Sequence, residues 1–198
     1  MGFTPFCVFA FFLGSIPTAY WVGKLRGVDI REHGSGNVGA TNAFRVLGRR
    51  PGSLVFLLDF LKGALPVFWF SASPAPVFDP SAPLWVGLAA ILGHVFTPFL
   101  GFKGGKGIAT GAGVLLGWWP PFFFIGAGAW AVIFYFTRIV SVSSMGAAAL
   151  LLLASFFLRP APGVVVFFLL MAVFVFWTHR SNIRRLLKGE EKPVNKLN

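Results

Sequence analysis

The stretch Ile108–Phe136, IATGAGVLLGWWPPFFFIGAGAWAVIFYF, decides how this chain is folded. It runs for 29 residues without a charge. A helix crosses the hydrocarbon core of a bilayer in about 20 apolar residues, with a range of roughly 17–25. The stretch is therefore long for one crossing and short for two. Near its middle stand Trp118-Trp119-Pro120-Pro121. Tryptophan favours the membrane–water interface, and a proline pair breaks a helix. The pattern predicts two short helices joined at that corner.

The flanking sequence makes this reading necessary. Met1–Gly23 carries no charge and is followed by Lys24 and Arg26. A signal peptide places its positive charges before the apolar run, so a retained helix is expected here. Further apolar runs are Gly52–Phe70, Leu84–Leu100, Val140–Leu158 and Val164–Thr178, and Ser71–Pro83 is a Pro/Ser/Ala-rich loop. Two helices within Ile108–Phe136 bring the total to seven. The N-terminus is then outside, and 15 of the 17 Lys and Arg residues face the cytoplasm, with Arg159 outside and Lys62 within the second helix. One helix there would put the basic tail after His179 on the outer side, against the positive-inside rule. The expected fold is all-α: a polytopic integral membrane bundle of seven transmembrane helices, two of them short around residues 108–136, with a cytoplasmic C-terminus. With no repeat, long linker or soluble segment, residues 1–198 read as a single membrane-embedded domain.

Composition agrees. Hydrophobic residues make up 56% and charged residues 12%, with a mean hydropathy of +0.77. An average soluble domain is about a quarter charged, so a disordered chain is excluded and the expected solvent is the lipid bilayer. The net charge of +11 would suggest nucleic acid in a soluble protein. Here it follows from orientation, and no nucleic-acid partner is expected. The single cysteine, Cys7, allows no intrachain disulfide and reads as a small buried hydrophobe. The six acids, Asp29, Glu32, Asp59, Asp79, Glu190 and Glu191, form no carboxylate cluster suited to a pair of metal ions. No metal and no cofactor is expected.

Three segments could carry chemistry. The first is Gly34-Ser35-Gly36-Asn37-Val38-Gly39-Ala40-Thr41-Asn42, with Arg45 close behind, inside the long polar loop Leu25–Arg50. Its glycines let a backbone approach a ligand, and a guanidinium fork suits phosphate. It contains G-x-G-x-x-G with Asp59 about 20 residues on, but no strand precedes it and Asp59 lies in a membrane-length run, so a dinucleotide fold fails. A flexible glycine-rich turn is the plain alternative. The second is Gly101-Phe102-Lys103-Gly104-Gly105-Lys106-Gly107, followed by Thr110, Gly111 and Gly113. Leu100 and Gly107 stand where a Walker loop needs glycine and a hydroxyl. What remains is a glycine-lined loop with two ammonium groups opening a helix, either an anion site or an interfacial helix anchor. The third is the tail His179–Glu191, where a continuing helix would put His179 and Asn182 on one face, and where Arg184 and Arg185 could read anionic lipid. Asp59 and Lys62, three apart in one apolar run, read as a structural pair, and His94 sits alone in another. Ser141, Ser143 and Ser144 read first as helix caps, with Ser144 also kept as a substrate-binding candidate. The residues by themselves describe an integral membrane protein that binds phosphorylated small molecules at its cytoplasmic surface. The His-x4-Asp pattern of conventional glycerolipid acyltransferases is absent, because Val38, Phe99 and Arg184 stand five after the three histidines.

Together these segments resemble the bacterial acyl-phosphate:glycerol-3-phosphate acyltransferase family, PlsY. The likeness runs through GSIPTAYWVGKLRGVDIREHGSGNVGATNAFRVLG, DFLKG, GHVFTPFLGFKGGKGIATGAG and HRSNIRRLLKGEE. One departure is Glu190, which fills a position the family usually gives to a small residue. The resemblance implies transfer of a fatty acyl group from acyl phosphate to the 1-hydroxyl of sn-glycerol 3-phosphate. Lysophosphatidic acid and phosphate would be the products, in phospholipid synthesis at the cytoplasmic face of the bacterial inner membrane. It points to Ser35, Arg45, Lys106, His179 and Asn182 as the catalytic centre. Gly34, Gly36, Asn37, Gly39, Thr41, Asn42, Lys103, Gly104, Gly105, Gly107, Thr110 and Ser144 would bind substrate, with Asp59, Lys62 and Glu191 as nearby structural groups. An acyl-phosphate-producing enzyme is a further candidate partner. The base stays open between His179 and a substrate phosphate. Two other classes compete: a transporter, which would need more polar groups at depth than Asp59, Lys62 and His94, and a phosphatase or phosphotransferase, which would be expected to carry an acidic metal cluster.

Overall fold

A computed structural model describes residues 3–73, 81–158, 161–191 and 193–194. Every regular element among them is helical. Helices α1 (Phe3–Ser15) and α2 (Thr18–Lys24) form one membrane-length run interrupted at Ile16-Pro17, because proline disfavours helical backbone in the residue before it. After a 3-10 turn at Ile30–Glu32 come α3 (Ala40–Leu47), α4 (Arg49–Ala72) and α5 (Ala82–Val95). A second 3-10 turn, Pro98–Leu100, precedes α6 (Ile108–Trp118), α7 (Pro120–Thr137), α8 (Val140–Leu158), α9 (Pro162–Thr178) and α10 (Arg180–Leu187).

Among the described residues five spans are long and apolar enough to cross a bilayer: Thr4–Lys24, Arg49–Ala72, Ala82–Leu100, Pro120–Thr137 and Val140–Leu158. The bent pair α9–α10 forms a sixth if taken as one span, and α6 is a shorter apolar helix. The break at the tryptophan–proline corner is present, with Trp119 extended between α6 and α7. The expectation of two short helices is corrected for α7, which has 18 residues. Its prolines occupy the first helical positions, where a missing N–H costs nothing, so they start α7 rather than shorten it. The loop expected over Leu25–Arg50 is also corrected, since it contains α3. That helix turns Asn42 and Ala43 inward and Thr41 and Arg45 outward. Most of the Ser71–Pro83 loop, together with Asp79, Arg159, Lys192 and Lys196, lies outside the described residues.

The chain forms two compact units, one built on α1–α6 and one on α7–α10. The first is held by glycines that let helix backbones touch, as small residues do between helices in lipid. A Cβ on Gly63 of α4 would strike the Thr110 carbonyl of α6, and one on Gly113 of α6 would strike the Phe60 carbonyl of α4. Gly14 and Gly93 do the same for α1 and α5. Phe6 adds edge-on ring contacts to Trp69 and Phe70 at 5.2 and 5.0 Å. In the second unit Phe122 stacks on Phe168 at 4.8 Å, and Trp130 donates to Ser144 Oγ at 3.2 Å.

Gly63→Val is expected to force α4 from α6 and lower the thermal midpoint in detergent, at a cost of about 1–3 kcal/mol or more. Gly111→Ala, whose added carbon would meet only Ile91 at 3.8 Å, is expected to leave the midpoint nearly unchanged.

Candidate active site

The first glycine segment is a shaped loop on a small apolar core. Ala19, Val22, Ile30, Val38, Ala43 and Val55 pack beneath it. Asn42 fixes its turn: Oδ1 accepts from the Ser35 N–H at 2.9 Å, and Nδ2 donates to the carbonyls of Ile30 and His33 at 3.1 and 3.0 Å. Asn42 is 1% exposed, so its side chain shapes the loop from inside. Gly34 and Gly36 have φ of +62° and +68°, backbone angles that glycine adopts without steric cost. The approach to the loop is pinned by Asp29, which takes Lys24 at 3.1 Å and Arg31 at 2.7 Å. The Arg31 guanidinium holds that carboxyl well below the usual range, with Lys24 adding to the effect. Arg31 also lies over the Tyr20 ring at 4.8 Å. Ser35, Thr41 and Arg45 are exposed, while Asn37 is partly so and Gly39 begins α3 as its N-cap.

The second glycine segment lies against the first. A Cβ on Gly105 would come within 2.9 Å of the Val38 carbonyl. The amides of Gly104 and Gly105 are engaged within the protein. They donate to the carbonyls of Val95 and His94 at 2.9 and 3.2 Å, capping the end of α5. Gly107, with φ of +82°, then turns the chain into α6. Lys103 is exposed and Lys106 half-buried beside it. Thr110 is fully buried, and its hydroxyl has no hydrogen-bond partner among the described residues. Ser35, Lys103 and Lys106 thus stand on two adjacent loops of one unit, and Arg45 on the outward face of α3, which follows the first of them.

Behind these loops lies a buried polar cluster. Asp59 Oδ1 accepts from Thr18 Oγ1 at 2.5 Å, pairs with Lys62 Nζ at 2.8 Å and lies 3.6 Å from His94 Nδ1. Lys62 also donates to the Ile16 carbonyl at 2.8 Å, and Thr97 to the Ser15 carbonyl at 2.6 Å. Both carbonyls belong to the interruption between α1 and α2, so these side chains satisfy backbone that the Pro17 break leaves open. His94 connects the cluster to the second loop, because a Cβ on Gly105 would collide with its Nε2. No local motif ties Thr18 or His94 to Asp59. The signal was a histidine between Gly93 and a glycine-rich turn in an otherwise apolar run.

In the second unit, the C-terminal turn folds back on α8 and α10. Glu191 accepts from Ser141 Oγ at 2.9 Å, Asn182 Nδ2 at 2.5 Å and Arg185 Nε at 2.5 Å. Burial alone would raise its pKa; the hydrogen bonds from Asn182, Arg185 and Ser141 outweigh that and leave it lowered. The chain bends by 58° between α9 and α10 with His179 at the joint, so the condition under which His179 and Asn182 would share one face of a continuing helix is not met. Both are buried beside the bend. His179 Nδ1 lies 2.8 Å from the Val175 carbonyl. A carbonyl only accepts, so Nδ1 carries the hydrogen and Nε2 is the acceptor of the neutral ring. The capping role expected of the serines is corrected too: Ser143 and Ser144 donate to carbonyls four residues back, and Ser141 donates to Glu191. Among the described residues no three His, Cys, Asp or Glu side chains come together as a metal site.

Membrane-length helices define an integral membrane protein, and its first unit carries two basic glycine loops side by side. A family model described as glycerol-3-phosphate acyltransferase matches residues 4–189. The chain is 43% identical to a glycerol-3-phosphate acyltransferase of Bacillus velezensis, over 94% of this chain and 95% of that one. It is 44% identical to that of Bacillus subtilis, over 96% of each. The crystal structure of PlsY, an integral membrane glycerol 3-phosphate acyltransferase, in its glycerol 3-phosphate form superposes with a TM-score of 0.91. That match has 39% identity and covers 98% of this chain and 96% of that one. The lysophosphatidic acid form gives 0.88 at 38% identity, with the same coverage. The chain belongs to the glycerol-3-phosphate acyltransferase family, and it is an enzyme.

Glu191→Gln is expected to lower stability at neutral pH by about 2 kcal/mol, as for hydrogen bonds to a charged group. Because the folded-state pKa of Glu191 is lowered, its contribution is complete above the ordinary carboxyl range and fades as pH falls through the folded value. The gap in thermal midpoint between wild type and Glu191→Gln should therefore close on acidification below about pH 4.3. A gap that stays constant into acid would contradict the assignment.

Proposed function

We propose that this chain transfers a fatty acyl group from acyl phosphate to the 1-hydroxyl of sn-glycerol 3-phosphate. The products are 1-acyl-sn-glycerol 3-phosphate and phosphate, and the reaction serves phospholipid synthesis. The observation that carries the reading is the pair of adjacent glycine loops bearing Ser35, Lys103 and Lys106, with Arg45 exposed on α3 directly after the first loop. Both substrates present a phosphate to such loops, and the bilayer supplies the acyl chain. The whole chain acts as one membrane-embedded acyltransferase domain. Five spans, the bent α9–α10 and the short α6 make seven crossings, and the distribution of Lys and Arg supports an active site on the cytoplasmic face of the bacterial inner membrane.

Arg45 and Lys106 hold the glycerol phosphate, and Lys103 adds positive charge. Ser35 and Thr41, with the turn made by Gly34, Gly36, Asn37 and Gly39, receive the acyl-phosphate head. Asn42 serves from behind by holding Ser35 in place. Gly104, Gly105 and Gly107 keep the second loop close to the first, and Asp59 and Lys62 support it. Thr110, whose buried hydroxyl has no partner among the described residues, and Ser144 complete the substrate-binding set. In the reaction the hydroxyl oxygen forms the ester bond to the acyl carbon. The bond from that carbon to the phosphate oxygen breaks, and the hydroxyl proton ends on the released phosphate. His179, whose Nδ1 is tied to Val175, offers Nε2 to accept that proton and pass it on. Asn182, held by Glu191, orients the reacting groups. Phosphate is a good leaving group, so position and charge stabilisation carry most of the catalysis.

Purified protein in lipid is expected to form product from glycerol 3-phosphate with palmitoyl phosphate and none with palmitoyl-CoA. Arg45→Ala should lower kcat/KM by about 100-fold, the scale of a charge-assisted phosphate contact. His179→Gln should lower kcat by about 10²–10⁴-fold. Equal use of both donors would remove the acyl-phosphate assignment, and retention of most of kcat by His179→Gln would remove the proton relay through that ring.

A further inference from the structure

A cavity of about 440 Å3 opens in the first unit, lined by none of the residues assigned to acyl transfer. Its lining is Val22, Leu25 and Arg26 at the end of α2, and Arg50, Pro51 and Leu54 in the first turns of α4. The volume is within the roughly 300–1,000 Å3 common for small-molecule sites. The lining has two characters. Arg26 and Arg50 supply two exposed guanidiniums. Leu25 and Leu54 are 86% and 47% exposed, forming an apolar wall open to the surroundings.

The neighbouring cations are already answered. Lys24 and Arg31 share Asp29, whereas Arg26 and Arg50 form no ion pair among the described residues. The level of the cavity is also fixed. One membrane-length span ends at Lys24 and the other begins at Arg49, and α2 packs on α4. The cavity therefore lies where both helices leave the hydrocarbon, the level at which phospholipids carry their phosphates.

We propose that this cavity binds one anionic glycerophospholipid of the surrounding bilayer. The phosphodiester sits between Arg26 and Arg50, and an acyl chain runs along Leu25 and Leu54. A soluble phosphate would use the guanidiniums but leave the leucine wall unoccupied. A zwitterionic lipid would fill the wall, but its own cation would weaken the attraction of the two arginines.

The test is native mass spectrometry of the full chain released from vesicles of phosphatidylcholine with a minor fraction of phosphatidylglycerol. Wild type is expected to retain phosphatidylglycerol in preference to phosphatidylcholine. The double variant Arg26→Gln/Arg50→Gln should lose about 25-fold of that preference, at about fivefold for each basic residue near an anionic surface. Leu54→Trp, which fills the cavity without removing charge, should also lose the bound lipid. Unchanged thermal midpoints show that the variants remain folded, and if the double variant is destabilised, Leu54→Trp decides alone. Undiminished preference in a folded variant overturns the proposal. So does displacement of the lipid by millimolar inorganic phosphate, which would assign the arginines to a soluble anion.

Discussion

A carboxylate at bilayer depth is stable only when its charge is answered, and the arrangement around Asp59 follows from that requirement. Removing one partner of a buried ion pair costs about 3–5 kcal/mol, so Thr18 of α2, Lys62 of α4 and His94 of α5 are held around a single oxygen. Lys62 answers the acid and also satisfies the Ile16 carbonyl at the α1–α2 break. The same few side chains therefore permit a broken helix inside the membrane and fix three elements against one another. The glycine contacts of α4 with α6 and of α1 with α5 bring the backbones close enough for this to happen.

The two glycine loops inherit their order from this framework. His94 offers its ring to Asp59 and its carbonyl to the Gly105 amide, so the second loop is seated on the end of α5. Gly105 in turn lies beside Val38 of the first loop. That first loop is shaped by Asn42, whose side chain makes three hydrogen bonds to it. Asn42, Gly104 and Gly105 thus shape and seat the two loops through their hydrogen bonds. Preorganisation of this kind carries the catalytic benefit in reactions whose leaving group departs readily.

The membrane class and the break at Trp119 were legible because both follow from composition and from proline chemistry. The same local signals could not tell that Pro120 and Pro121 begin a full-length helix, since proline at a helix start and proline in a helix interior are written alike. Helix α3 was hidden by its glycine-rich surroundings, although ATNAFRVL alternates inward Asn42 and Ala43 with outward Thr41 and Arg45. The two loops stood out because charge and glycine spacing are local properties, whereas the choice of Ser35, Arg45 and Lys106 within them came from the resemblance to the PlsY family. His94 and Thr18 were missed because their role depends on a partner more than 30 residues away. The bend at His179 was missed for a related reason: the tie from Nδ1 to Val175 and the grip of Glu191 on Asn182 involve a turn that no helical period describes.

The dependence of the second loop on the buried acid is open to direct measurement by hydrogen exchange, which reports local opening. The full chain in lipid, as wild type and as His94→Leu, would be followed with and without sn-glycerol 3-phosphate. This variant leaves the Asp59–Lys62 pair in place and removes only the ring between it and the loop. Faster exchange over residues 103–107 in the variant, loss of protection by glycerol 3-phosphate there, and unchanged exchange in α8 are expected. Equal exchange and equal protection over residues 103–107 in the two proteins would contradict the claim that the Asp59 cluster organises the phosphate loops.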